Sequence, residues 1–102
     1  MRLLVCGGRN YSDKESLETA LSDFHKTTPI TTLIEGGARG ADHLADDWAR
    51  ENKIPRLRFN ADWAAHGRSA GALRNIRMLK EGKPDAVMAF PGGRGRSHAV
   101  DF

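Results

Sequence analysis

The stretch Arg2-Leu3-Leu4-Val5-Cys6-Gly7-Gly8 is a short apolar run closed by two glycines, and the same device recurs twice. The later copies are Leu33-Ile34-Glu35-Gly36-Gly37 and Met88-Ala89-Phe90-Pro91-Gly92-Gly93. Short apolar runs ended by glycine read as buried strands with a turn at their C-terminal ends. Between the first two copies, Leu17, Ala20, Leu21 and Phe24 recur at i, i+3, i+4 and i+7. That spacing predicts an amphipathic helix over 13–26, with Ser12 and Glu15 as a capping box and Thr27-Thr28-Pro29 as the stop. The β-branched segment 30–35 is the second strand.

After the second glycine pair, Ala41, Leu44, Ala45 and Trp48 repeat the helical spacing and predict a helix over 38–52. Pro55 leads into a third strand over 56–60, whose alternation of Arg56, Leu57, Arg58 and Phe59 suits an edge strand with one wet face. Residues 61–71 read as a loop with one helical turn. A third helix spans 72–82 with Ala72, Ile76 and Leu79 facing inward, and a fourth strand spans 85–90. The order βαβαβαβ predicts a parallel sheet with right-handed crossovers. The expected architecture is a Rossmann-like three-layer α/β sandwich, a four-stranded sheet in the order 3-2-1-4, formed by one domain over 1–102 with its C-terminal helix short or missing.

Composition narrows the function classes. Of 102 residues, 39% are hydrophobic and 28% charged, which suits a globular domain rather than a disordered chain. No apolar run approaches the ~20 residues of a membrane span. A single cysteine, Cys6, and the absence of a leader-like segment favour a reducing cytoplasm. The net charge is +3, and eleven of the sixteen basic residues are arginines, the side chain suited to bidentate recognition of phosphate and carboxylate.

Parallel strands carry all their C-terminal ends to one rim, so the three glycine pairs are expected to meet there, at the switch point between the first and fourth strands. Glycine lets backbone N–H groups approach an anion, and a helix N-terminus adds partial positive charge. Arg9, Arg39, Arg94 and Arg96 follow the pairs closely, and Arg68 and Arg74 lie after the third strand on the same rim. Each pair alone is ordinary turn chemistry. Three pairs accompanied by arginines point to a phosphorylated or otherwise anionic ligand. The pattern is neither a dinucleotide fingerprint nor a Walker loop.

The segments Cys6-Gly7-Gly8-Arg9-Asn10-Tyr11, Gly36-Gly37-Ala38-Arg39-Gly40-Ala41-Asp42, Ala61-Asp62-Trp63 with Gly67, Ala70-Gly71 and Arg74-Asn75, and Ala89-Phe90-Pro91-Gly92-Gly93-Arg94-Gly95 resemble the YspA-type, YpsA-related SLOG domains of bacteria and phages. The resemblance covers nearly the whole chain. It implies a Rossmann-like fold that binds nucleotide-derived small molecules, such as nucleotide sugars or ADP-ribose-like ligands. The wider superfamily includes the "lonely guy" phosphoribohydrolases, the lysine-decarboxylase-like proteins and a DNA-processing protein. Its enzymes carry Pro-Gly-Gly-x-Gly-Thr-x-x-Glu. Here Arg96 stands at the threonine position and Ala99 at the glutamate position. Alanine cannot activate water or steady an oxocarbenium-like centre, so binding survives the substitution better than catalysis does.

Single residues complete the expectation. Gly7, Gly8, Gly36, Gly37, Gly92, Gly93 and Gly95 are candidate phosphate-binding positions, with Arg9, Arg39, Arg74 and Arg96 as neutralising cations. Asn75 is a candidate for sugar or base contacts, and Trp63 for stacking on a base or walling the cleft. Glu35 and Asp62 are the carboxylates available for ribose contacts or for catalysis, and pairing with a nearby arginine is an equally good reading of Glu35. Asp42 reads as an acid favoured by the helix dipole, and Trp48 as packing. His66 and His98 lack partners at metal-ligand spacing and His25 and His43 lie on helices, so neither a metal nor a cofactor is expected. The leading expectation is a binding module for a nucleotide-derived, phosphate-containing small molecule, acting as a sensor or processing module. An N-glycosidic hydrolase of nucleotides is the first alternative, and single-stranded nucleic-acid binding ranks last. Few residues follow the fourth strand, so a homodimer or larger homo-oligomer, or a truncated chain, is expected to account for the apolar surface a missing helix leaves.

Overall fold

A computed structural model describes residues 1–91. Strand β1 (Arg2–Cys6) is followed by helix α1 (Lys14–Thr27), β2 (Thr32–Glu35), α2 (Ala41–Glu51) and β3 (Arg56–Arg58). A short helix α3 (Trp63–His66) runs through a 3₁₀ turn (Gly67–Ser69) into α4 (Ala70–Lys80), and β4 (Ala86–Ala89) closes the set. All strand pairings are parallel and the order is β3-β2-β1-β4, as the alternation of elements implied. Gly92, Gly93, Gly95 and Arg96 lie outside the described residues.

The strands sort their side chains by parity, as a pleated strand must. Leu3, Val5 and Leu33 join Leu17 and Leu21 of α1 and Ala41, Ala45, Trp48 and Ala49 of α2 in the larger core. Leu4, Cys6 and Ile34 point to the other face, against Phe59 and Met78. Trp48 is a packing residue whose indole N–H donates to Ser22 Oγ at 3.1 Å.

Two details differ from the sequence expectation. The N-cap of α1 is Asp13, one residue later than Ser12; its carboxylate accepts from the Ser16 N–H at 3.1 Å, a stronger acceptor than a hydroxyl. Helix α4 starts at Ala70 and turns Ala70 and Met78 inward, leaving Leu73, Ile76 and Leu79 exposed. The stripe 72–76–79 fits helical spacing, but so does 70–74–78. The second docks because Arg74 Nη1 donates to the Gly36 carbonyl at 2.6 Å.

Candidate functional site

The turns after β1 and β2 and the end of β4 are stitched to one another through Gly8. Its carbonyl accepts from Tyr11 N–H at 3.1 Å and Ala41 N–H at 3.4 Å, and its own N–H donates to the Pro91 carbonyl at 3.3 Å. Gly40 makes this approach possible. Its φ is +77°, and a Cβ there would run into the Gly8 and Arg9 carbonyls.

Beneath the second turn lie two carboxylates that spend its amides. Glu35 is fully buried; it accepts from the Gly37 N–H at 2.5 Å and pairs with Arg58 Nε at 2.7 Å. Asp42, also buried, accepts from the Gly36 and Ala38 N–H groups at 3.1 and 3.3 Å through one oxygen. Burial raises both carboxyls: Glu35 upward against the opposing pull of Arg58, and Asp42 to about 6, with the charge of Glu35 adding to the effect. The N–H groups of Gly8, Gly36, Gly37 and Ala38 are thus committed within the protein. Among the described residues, these four amides of the expected cradle instead brace the turns from within.

The charge that faces outward is guanidinium. A cleft of about 600 Å³ is lined by Arg9, Gly36, Gly37, Ala38, Arg39, Asn60, Ala61, Trp63 and Arg74. Arg74 reaches it from α4, held by the Gly36 carbonyl and by Asn75 Oδ1 at 2.9 Å. Burial, and to a lesser degree the nearby charge of Arg9, push the Arg74 pKa down against the opposing attraction of Asp42. Arg9 lies over the Trp63 ring, 5.4 Å from its centroid. Among the described residues, none of Arg9, Arg39 and Arg74 has a carboxylate within ion-pairing distance.

The structure therefore brings Arg9, Gly36, Gly37, Arg39, Trp63 and Arg74 to one cleft. Gly7 and Gly8 lie behind it, where Gly7 packs so closely on Ala41 and Phe90 that a side chain has no room. Asn75 steadies Arg74 rather than lining the wall. Asp62 caps α3, accepting from Ala65 N–H at 3.0 Å. Glu35 sits under the turn, not in the cleft. Asn60 was not singled out in the sequence, and Ala38 and Ala61 were named there only as parts of the family motifs. The parallel register could have revealed the brace, since it sets Glu35 opposite Arg58.

The family model for the YspA, cpYpsA-related SLOG family matches residues 1–66, from β1 through α3. The chain belongs to that family. The matched span holds the first two glycine turns, Asp42 and Trp63, whereas Arg74 comes from outside it. The "Gene 61 protein" of Mycobacterium phage D29 is 43% identical over 108 residues, covering 97% of this chain and 85% of the phage protein. No solved structure matches the chain. Among the described residues, no helix is long and apolar enough to cross a membrane.

Proposed function

We propose that this SLOG-family protein binds a phosphate-bearing, nucleotide-derived small molecule in the cleft above the C-terminal end of β2, as a sensor or processing module. The observation that carries the reading is the convergence of three guanidinium groups, Arg9, Arg39 and Arg74, with no carboxylate partner among the described residues. Like charges gathered in one concavity repel each other, and an anion relieves that repulsion while accepting bidentate hydrogen bonds. The nearby acids, Glu35 and Asp42, are turned away from the opening and occupied by backbone amides. The cleft lies on the C-terminal rim of the parallel sheet, over the ends of β2 and β3 rather than at the β1–β4 switch point to which the sequence pointed. Family membership is consistent with a nucleotide-related role.

Calorimetric titration with ribose 5-phosphate, AMP and ADP-ribose tests this reading. Binding of at least one of them is expected, weakened about tenfold or more by Arg39→Ala, which removes an exposed side chain with no hydrogen bond or ion pair among the described residues. Absence of heat with all three at millimolar concentration overturns it.

A further inference from the structure

Trp63 opens α3 with its side chain half exposed, and its ring looks onto the cleft. The Arg9 guanidinium covers that ring at 5.4 Å from the centroid, within cation–π range. Two stacked layers need about 7 Å at ~3.5 Å each, so no flat group fits between Arg9 and Trp63 as they stand. Arg9 itself is exposed, and among the described residues its side chain makes no hydrogen bond or ion pair that would fix it there. It also belongs to the turn that supplies one of the three cleft cations.

The geometry points to an exchange: the ligand carries an aromatic base as well as a phosphate, the base takes the face of Trp63, and the displaced Arg9 turns to the phosphate beside Arg39 and Arg74. This rests on the proposed anion site and names the class of molecule that site takes, a nucleotide rather than a sugar phosphate. Base stacking on an aromatic side chain is stronger than an exposed cation–π contact, so the exchange runs toward the base. The same arrangement keeps the indole face covered while the cleft is empty and makes the base and phosphate contacts depend on one another.

The test titrates AMP, ribose 5-phosphate and adenosine into the full chain, read by calorimetry and by tryptophan fluorescence. Trp48 is buried in the core, so a ligand-dependent change in emission reports Trp63. AMP is expected to bind about tenfold or more tightly than ribose 5-phosphate and to quench the emission. Trp63→Leu removes that preference; Trp63→Phe keeps part of it. Arg9→Ala weakens ribose 5-phosphate yet tightens the uncharged adenosine several-fold, because the ring face is no longer contested. Equal affinity for AMP and ribose 5-phosphate in the wild-type protein overturns the exchange while leaving the anion site standing. No tightening of adenosine in Arg9→Ala counts equally against it. If neither phosphate binds, the anion site itself fails, and the exchange with it.

Discussion

Two groups of arginines, one on strand β3 and one in the cleft, are treated in opposite ways. At the β3 edge, Arg56 meets both oxygens of Asp46 at 3.0 and 2.9 Å, and Arg58 pairs with Glu35 at 2.7 Å and with Asp46 at 3.4 Å. In the cleft, Arg9, Arg39 and Arg74 line a concavity with no carboxylate within ion-pairing distance among the described residues. The residue type is the same, and its surroundings divide the roles. The edge arginines hold the buried acids Asp46 and Glu35, and Glu35 in turn braces the turn through the Gly37 N–H. The cleft arginines are left to meet a charge from outside.

The comparison breaks most sharply at Arg58. Arg58→Ala leaves Glu35 buried and without its cation. Removing one partner of a fully buried pair costs ~3–5 kcal/mol; because the Arg58 side chain is 40% exposed, about 2–3 kcal/mol is expected in urea unfolding. Adding Glu35→Gln to that variant is expected to recover part of the loss. An unchanged midpoint in Arg58→Ala means that the brace contributes nothing to stability.

Gly40→Ala tests whether the two groups share one frame. It places a side chain at φ +77° against the Gly8 carbonyl, and a loss of about 2 kcal/mol is expected, together with weaker ligand binding as the β1 and β2 turns separate. Wild-type binding in a destabilised Gly40→Ala protein shows that the cleft does not depend on that contact.

Asp42 gives a smaller and pH-dependent effect. Its carboxyl is raised from 3.8 to about 6 in the folded protein, mainly by burial. The folded state therefore holds its proton more tightly than the unfolded chain, and the stability this adds is complete below 3.8 and lost as pH rises through 6. At most ~3 kcal/mol is involved. Asp42→Asn keeps an oxygen to accept from Gly36 and Ala38 and removes the charge. It is expected to be about 1 kcal/mol more stable than wild type at pH 7.5, an advantage that vanishes by pH 4. An advantage that grows on acidification has the wrong sign for this account.

The sequence disclosed the sheet and its order because three strands carried the same apolar run and glycine ending, and because α1 and α2 had a single plausible apolar stripe. It disclosed α4 poorly. There two stripes fit a helical period, and the docked one contains Arg74, a charged residue that periodicity assigns to solvent. The region 61–71, read as a loop with one helical turn, holds the single turn α3 and a 3₁₀ turn after it; the start of α3 is set by the local Asp62 cap rather than by any apolar stripe. At the site, the arginines and Trp63 were legible because glycine turns in a parallel sheet must share one rim. The fate of the turn amides was not, since it depends on Asp42 folding back from the first turn of α2. Asn60 was missed for a related reason: it follows a strand of three residues with no motif of its own, and enters the cleft only because Gly37 leaves it room.

Arg39→Ala should perturb stability least, by less than ~0.5 kcal/mol, because the side chain is exposed and makes no hydrogen bond or ion pair among the described residues. That makes it the right partner for Arg56→Ala in a charge-matched calorimetric titration with AMP, since each variant loses one positive charge. The account predicts that Arg39→Ala weakens AMP about tenfold or more, while Arg56→Ala, once shown to be folded, binds within about twofold of wild type. Equal weakening by the two would mean that AMP responds only to the overall basic charge of the protein, and the distinction between paired and unpaired arginines would fall.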